Sequence, residues 1–242
     1  MDKSTQGIVL RIIKYTDTSN IIDLYTLEKG RCAVLVRIPK GARARVKNVL
    51  FQPLAILDID LTSRTQSGLS YIKDVSASHV FHSLPYHPIK SSIAFFISEF
   101  VYHAVKEEFK NSSLFTYLKN SILWLDLCEV SYSNFHLVFL MRISFFLGLS
   151  PNLTNYVPGC YFDLLEAQFV TIKPTIHKDY LEPDETSRVH NLMRMKYDTM
   201  HLFKMSRHER SRILFVLNRF YTLHIPNFPE LRSLDILQEL FD

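Results

Sequence analysis

The sequence predicts an α+β protein with an N-terminal five-stranded β-barrel followed by a mostly α-helical C-terminal domain. Short strand-like runs fill the first 80 residues, prolines interrupt the chain near residue 85, and apolar residues recur at helical spacing beyond that point. Five short strands in so few residues indicate a small closed barrel. The oligonucleotide-binding (OB) barrel is the commonest five-stranded form, so we expect an OB fold.

Each predicted strand carries either β-branched residues or an alternation of apolar and polar residues. Leu57, Ile59 and Leu61 alternate with two aspartates, which is typical of a half-buried strand. Residues 28–30 form a turn signal between the second and third strands. The predicted strands cover residues 7–15, 20–27, 31–38, 57–61 and 69–75.

The domain boundary is predicted where the strand-like runs end. Pro85 and Pro88 stand within four residues and disfavour helix and strand alike. We therefore expect an OB-fold DNA-binding domain over residues 1–80 and a helical domain over residues 81–242.

The helical domain is predicted to contain an irregular insert at residues 150–183, which several prolines punctuate. A short hairpin is expected at residues 161–172. Ser206 and Glu209 have the spacing of a capping box at the start of a late helix. The predicted helices cover residues 93–104, 111–127, 133–147, 184–196, 206–223 and 233–241.

Composition argues against a secreted or membrane protein. The three cysteines lie far apart, which disfavours a disulfide framework and favours a reducing cytoplasm. The N-terminus has none of the features of a signal peptide. The most apolar window, residues 135–149, is 15 residues long, whereas a membrane span needs roughly 20. We expect a buried core helix there, a cytoplasmic location and no membrane partner.

The sequence shows no motif of a common enzyme class. GxSxG, HExxH and P-loop patterns are absent, and the ten histidines are scattered. His79 and His82 have an HxxH spacing, but a structural zinc site needs four ligands at close paired spacings. Cys160 has no cysteine within 30 residues. We expect no catalysis, no metal and no other cofactor.

Positive charge is concentrated in the first part of the chain. The net charge is +4 overall, while residues 1–80 hold 12 basic and 7 acidic residues, a net charge of +5. Such a patch attracts polyanions and speeds their capture. The alternative is a solvated loop whose charges only aid solubility. The densest group has no acidic residue among its members, which are Arg37, Lys40, Arg43, Arg45 and Lys47.

A small barrel with basic residues resembles a groove for single-stranded nucleic acid, in which cations follow the phosphates and aromatic rings stack on bases. Tyr15, Tyr25 and Phe51 are the candidate stacking residues. Core packing is the stronger interpretation for Tyr25 and Phe51, and Tyr15 is the one that we expect to be exposed.

A second basic group lies in the late helix. Three of its members, Lys204, Arg207 and Arg210, are three residues apart and can share one helical face. An ordinary amphipathic helix is the alternative interpretation, and a longer DNA path is the functional one. Its members are Lys204, Arg207, Arg210, Arg212 and Arg219.

Several short motifs along the chain match those of a known protein family in their order and spacing. They are Arg11-x-x-x-Tyr15, Gly30-Arg31, Lys40-Gly41-Ala42-Arg43 with Arg45 and Lys47, Phe51-Gln52-Pro53, Leu223-His224-Ile225, and the run 231–237 before Phe241. In this order and spacing the chain resembles the RecO family of bacterial recombination-mediator proteins over essentially its full length.

The chain departs from that family in one region. Many family members carry a four-cysteine zinc module after the third long helix, where this chain retains Cys160 alone. We therefore expect a zinc-less variant, in which packing replaces the metal through Tyr161, Phe162, Leu164 and Phe169.

The resemblance implies a function in DNA repair and homologous recombination. Such proteins bind single- and double-stranded DNA, anneal complementary strands, and act with RecR to load RecA onto strands coated by single-stranded DNA-binding protein (SSB). They dock the C-terminal tail of SSB in the helical domain, and they are expected in the cytoplasm near the nucleoid. The residues expected to bind DNA are Arg11, Lys14, Arg31, Arg37, Lys40, Arg43, Arg45, Lys47, Arg207 and Arg210.

Two other functions stay open at this point. A protein-interaction adaptor would use the basic barrel to bind an acidic protein. A nuclease would need carboxylates around one or two divalent metals, and residues 37–47 contain none.

Overall fold

The computed structural model describes residues 3–37, 50–62 and 69–240. The chain divides into two compact units. The first unit holds Met1–Leu127 with Leu231–Leu240, and the second holds Cys128–Glu230 with Phe241–Asp242. The division expected from the sequence, at residues 80 and 81, stays a prediction about domains.

The described residues form eight strands and six α-helices. The strands are β1 (Lys3–Thr16), β2 (Ser19–Thr26), β3 (Gly30–Arg37), β4 (Ile56–Leu61), β5 (Ser70–Ala77), β6 (Tyr161–Asp163), β7 (Gln168–Val170) and β8 (Tyr180–Leu181). The helices are α1 (Pro88–Ala104), α2 (Ser112–Leu127), α3 (Phe135–Phe146), α4 (Pro183–Arg194), α5 (Arg207–His224) and α6 (Arg232–Leu240).

Strands β1 to β5 close into a barrel in the order β1-β2-β3-β5-β4. The long strand β1 pairs with β4 through its first half and with β2 through its second half. A parallel pairing of β3 with β5 completes the closure. The predicted five-stranded OB barrel followed by helices is therefore confirmed.

Alternating side chains of the strands fill the barrel. Inward residues of β1 to β4 are apolar and buried, as a period of two requires, and β5 adds the partly buried Ile72 and Val75. The core is formed by Val9, Ile22, Leu24, Val34, Val36, Phe51, Ala55, Leu57, Ile59 and Leu61.

Helix α1 begins five residues earlier than the spacing of apolar residues indicates. Pro88 occupies its first turn, where a missing N–H is no loss because that group has no partner within the helix. The proline that marks the end of the β region in the sequence thus also starts α1.

A buried carboxylate fixes the segment that enters α1. Asp126, in α2, accepts backbone N–H groups of His82, Ser83 and Leu84 at 3.0, 2.9 and 2.8 Å. Burial alone raises the pKa of Asp126, but these three hydrogen bonds and the nearby His79 ring together hold it below its usual range.

A second carboxylate joins α1 to the last helix of the first unit. Glu99, in α1, accepts the backbone N–H groups of Arg232 and Ser233 at 3.1 and 2.9 Å. These N–H groups belong to the start of α6 and have no partner within that helix. Glu99 therefore ties α6 to α1 within the first unit.

The second unit is built on α3. Residues 135–140 are each at most 1% exposed, which confirms the buried core helix. Tyr221 donates its hydroxyl to the carbonyl oxygen of Leu140 at 2.5 Å, and burial raises its pKa. The predicted capping box is also present, because Ser206 and Glu209 each accept the other's backbone N–H. A three-stranded sheet of order β7-β6-β8 contains the predicted hairpin.

No helix among the described residues is both long enough and apolar enough to cross a membrane.

Candidate nucleic-acid interface

The β1–β2–β3 sheet of the barrel has two ends with different surroundings. At one end lie the β1–β2 turn and the last residue of β3, and we call it the Tyr15 end. Ser19 of β2 pairs there with Thr16 on one side and with Arg37 on the other. At the opposite end lies the β2–β3 turn, and we call it the Gly30 end.

Of the three candidate stacking residues, Tyr15 is exposed and the other two are buried. The exposed fraction is 61% for Tyr15, 1% for Tyr25 and 3% for Phe51. Tyr25 lies against Phe115 with ring centroids 6.4 Å apart, and burial raises the pKa of Tyr25 to about 12. The exposure expected of Tyr15 is confirmed, and so is core packing for Tyr25 and Phe51.

Two predicted DNA-binding residues lie at the same end of the sheet as Tyr15. Lys14 precedes it on β1, and Arg37 lies two strands away, where it is exposed. The Nζ of Lys14 is 3.0 Å from Oδ1 of Asp17, but both side chains are largely exposed. An ion pair in that environment is weak, so it leaves Lys14 available to a polyanion.

Arg31 lies at the Gly30 end in very different surroundings. It is half-buried, and its Nη1 donates to the carbonyl oxygens of Tyr102 and Val105 at 2.9 and 3.5 Å. Its guanidinium carbon is also 4.1 Å from the centroid of the Tyr102 ring. These contacts place its charge at the carboxyl end of α1, where a cation is stabilising.

Arg11 is exposed and lies over the same ring, with its guanidinium carbon 5.0 Å from the Tyr102 centroid. In the sheet it pairs with Asp23, which is buried. Burial raises the pKa of Asp23, and the charges of Arg31 and Arg11 oppose that rise. Sequence reasoning missed both Asp23 and Tyr102. The polar position in the β2 alternation is the one signal that points to Asp23.

The late-helix cations belong to the second unit and differ among themselves. Arg207 is half-buried, and Arg210 donates from Nη1 to the carbonyl oxygen of Met205 at 2.7 Å. Arg219 forms a bidentate ion pair with Asp179, at 2.7 and 2.9 Å. Such a pair holds α5 to the strand region of its own unit.

Four members of the basic group, Lys40, Arg43, Arg45 and Lys47, lie outside the described residues. Their contact with DNA stays a prediction, as does that of the other DNA-binding candidates.

The insert predicted at residues 150–183 contains a buried apolar cluster. Cys160, Phe162, Leu164 and Phe169 are each at most 4% exposed, and the rings of Phe162 and Phe169 have centroids 5.0 Å apart. Tyr161 is half-buried beside them. Over residues 3–37, 50–62 and 69–240, no three His, Cys, Asp or Glu side chains are grouped closely enough to hold a metal.

Comparison with known families decides what kind of protein this is. The family model for the N-terminal region of recombination protein O matches residues 1–81, and the model for its C-terminal region matches residues 86–235. This chain belongs to the RecO family. It is 53% identical over 241 residues to the DNA repair protein RecO of Phocaeicola vulgatus and 52% identical over 242 residues to that of Bacteroides fragilis.

A more distant RecO protein, from Flavobacterium psychrophilum, is 33% identical over 242 residues. In all three comparisons the match covers the whole of both chains. The barrel and the helices therefore lie in one continuous RecO sequence.

Proposed function

We propose that this protein is a mediator of DNA repair and homologous recombination. It binds single- and double-stranded DNA, anneals complementary strands, and acts with RecR to load RecA onto SSB-coated strands. The family assignment supports the repair role, since its relatives carry the name DNA repair protein RecO. The cytoplasm near the nucleoid is the location that this role requires.

One observation carries the DNA-binding part of the proposal. The Tyr15 end of the barrel combines an exposed aromatic ring with two exposed cations, Lys14 and Arg37. An exposed ring can stack on a base while the cations neutralise phosphates on either side. Arg37 also directly precedes, in the sequence, the segment with Lys40, Arg43, Arg45 and Lys47.

Annealing needs no catalytic group. Two strands repel each other through their phosphates, and a surface that neutralises part of that charge lowers the barrier to pairing. The proposed mechanism therefore depends on the number of cations in the basic group Arg37, Lys40, Arg43, Arg45 and Lys47. If five phosphates of a single strand are neutralised, the logarithm of affinity falls with the logarithm of salt concentration with a slope of roughly −3.5.

The first experiment is a fluorescence-anisotropy titration of a labelled single strand. Reversing two charges with Arg43→Glu and Arg45→Glu should weaken binding to all sequences alike and flatten the salt slope. The matched control, Lys178→Glu with Lys196→Glu, makes the same change in net charge in the second unit. Equal affinity of the Arg43/Arg45 variant and the wild type at low salt would contradict the assignment of phosphate contacts.

The second experiment tests the mediator step. Complementary strands are coated with SSB and annealed with the wild type or the Arg43/Arg45 variant, with and without RecR. We expect annealing by the wild type and its loss in the variant. SSB that lacks its C-terminal tail should reduce annealing by the wild type, because that tail is the proposed docking element.

The same preparations separate this proposal from the two alternatives. An adaptor for an acidic protein would show no saturable, salt-sensitive binding of the oligonucleotide. A nuclease would cut plasmid DNA in the presence of Mg²⁺ or Mn²⁺. We expect binding without cutting.

A further inference from the structure

Two arginines from different strands share one aromatic ring of α1. Arg11 of β1 and Arg31 of β3 place their guanidinium carbons 5.0 and 4.1 Å from the centroid of Tyr102. Both distances are within the range of a cation–π contact. Arg31 is half-buried and Arg11 is exposed, so the ring stabilises one cation inside the molecule and one at its surface.

The main chain at Tyr102 is held from the barrel side. Arg31 donates its Nη1 to the carbonyl oxygen of Tyr102 at 2.9 Å, and its backbone N–H to that of Glu107 at 3.0 Å. The carbonyl groups in the last turn of a helix carry partial negative charge. The positive charge of Arg31 offsets the partial negative charge of these carbonyl groups. An anion bound beside Arg11 is therefore less strongly repelled by the end of α1.

A buried carboxylate lies next to Arg11 in the sheet. Asp23 is 7% exposed and lies directly across from Arg11 in the β1–β2 register. The positive charges of Arg31 and Arg11 oppose the rise in the pKa of Asp23 that burial causes. The negative charge of Asp23 and the ring of Tyr102 both attract the guanidinium of Arg11.

Stacking leaves a guanidinium able to bind a phosphate. Its five N–H donors lie in the plane of the group, so a ring against one face blocks none of them. A side chain that is already fixed also loses less conformational freedom on binding. Arg11 is thus both exposed and preorganised.

We propose that α1 supplies part of the nucleic-acid interface, with Tyr102 as a positioning residue that presents Arg11 to a phosphate of the bound strand. This inference rests on the proposed function and extends its site from the barrel to the first helix. The register places Arg11 on the same face of the sheet as Ala33, through Asp23, and therefore on the same face as Arg37. The two arginines are about 13 Å apart along the strand direction. One strand can therefore contact the Tyr15 end and Arg11 within a few nucleotides.

The test is a double-mutant cycle read by anisotropy with a labelled single-stranded oligonucleotide over a range of salt concentrations. Arg11→Gln should make the salt slope less negative by about 0.7 and lower affinity about fivefold to tenfold at low salt. Tyr102→Leu should reproduce most of that loss. Adding Tyr102→Leu to Arg11→Gln should cost little more, because the ring acts through Arg11.

Tyr102→Phe and Lys178→Gln are the controls. Tyr102→Phe keeps the ring and should bind as the wild type does. Lys178→Gln removes one charge in the second unit, and it measures the effect of net charge alone. The inference is overturned if the two losses add fully in the double variant, or if Tyr102→Phe loses as much affinity as Tyr102→Leu.

Thermal unfolding of each variant keeps the result interpretable. Wild-type affinity in a folded Tyr102→Leu variant would overturn the inference. Should Tyr102→Leu fail to fold, Tyr102→Met takes its place in the cycle, and Arg11→Gln tests the phosphate contact itself, because the Arg11 side chain is exposed. A salt slope for Arg11→Gln equal to that of Lys178→Gln would overturn the inference while leaving the proposed function intact. A wild type that binds no oligonucleotide would instead overturn the proposed function.

Discussion

Arg31 and Arg37 lie on the same face of the same strand, six residues apart, and have opposite surroundings. Arg31 donates to two carbonyl oxygens of the α1 end and packs on an aromatic ring, whereas Arg37 is exposed at the end of β3. The two Cα atoms are about 20 Å apart along the strand. At the Gly30 end a cation stabilises the fold, and at the Tyr15 end an identical side chain is available to a ligand. Burial and partners, rather than residue type, decide the role.

The largest effect is expected at Gly30, where the barrel meets the chain after α1. Gly30 has φ of +67°, and an added Cβ would lie 2.3 Å from the carbonyl oxygen of Phe109 and 2.7 Å from that of Glu107. Gly30→Ala should lower the free energy of unfolding by about 2–5 kcal/mol, through left-handed strain and overpacking together. Chemical denaturation measures this loss.

Gly148 provides the matched control, since it has φ of +68° and no atom within 4 Å of an added Cβ. Gly148→Ala should cost only the strain, about 1–2 kcal/mol. Equal losses at the two glycines would show that the Gly30 end is not tightly docked.

Asp126 provides a second test of stability in the first unit, at the segment that enters α1. Asp126→Asn removes the charge that three backbone N–H groups face, and it should lower the free energy of unfolding by about 2 kcal/mol at neutral pH. The folded-state pKa of Asp126 lies below its ordinary value of 3.8, so its contribution is complete above that value. The contribution is lost as the pH falls through the lower, folded-state pKa.

Denaturation curves of the wild type and Asp126→Asn between pH 2 and pH 7 test this sign. As the pH falls, the difference between the two proteins should persist down to about pH 3.8 and shrink below it. A difference that has already shrunk when the pH is lowered to 5 would contradict the depressed pKa.

At the Tyr15 end the expected effects are on binding instead of stability. Tyr15→Leu should weaken single-strand binding by about 1 kcal/mol, roughly fivefold, because one stacked base is lost. Binding to a duplex, whose bases are already stacked, should change less. Tyr86→Leu is the control, since Tyr86 is 78% exposed elsewhere in the first unit. Equal effects on single strand and duplex would argue against stacking by Tyr15.

The smallest effect concerns the exposed ion pair beside Tyr15. Asp17 is the acidic partner of Lys14, and its side chain is 95% exposed. Asp17→Asn removes its charge. We expect the free energy of unfolding to change by less than about 0.5 kcal/mol and DNA affinity to rise about twofold. A large loss of stability would show that this end is structurally constrained after all.

The barrel was predictable because the sequence patterns that indicate its strands and turns are local. Alternation of apolar and polar residues indicates each strand, and five short strands with turn signals between them indicate closure. The length of β1 was underestimated, since residues 3–6 pair with β4, more than 50 residues away in sequence. Pairing over that separation leaves no local pattern.

The candidate site was predictable in part for the same reason. The exposure of Tyr15 follows from its place at a strand end, and the burial of Tyr25 and Phe51 from apolar neighbours. The surroundings of Arg31 did not follow, because its acceptors are carbonyl oxygens 71 and 74 residues further along the chain. A basic residue in a strand carries no sign of which helix end it will meet.

The most direct test of the account measures stability and DNA affinity for the same two variants, Arg31→Gln and Arg37→Gln. Arg37→Gln should make the single-strand salt slope less negative by about 0.7 and leave the free energy of unfolding within about 0.5 kcal/mol of the wild type. Arg31→Gln should lower the free energy of unfolding by about 1–3 kcal/mol, because two partly buried carbonyl groups lose a charged donor. The account is contradicted if Arg37→Gln keeps the wild-type salt slope, or if Arg31→Gln is as stable as the wild type.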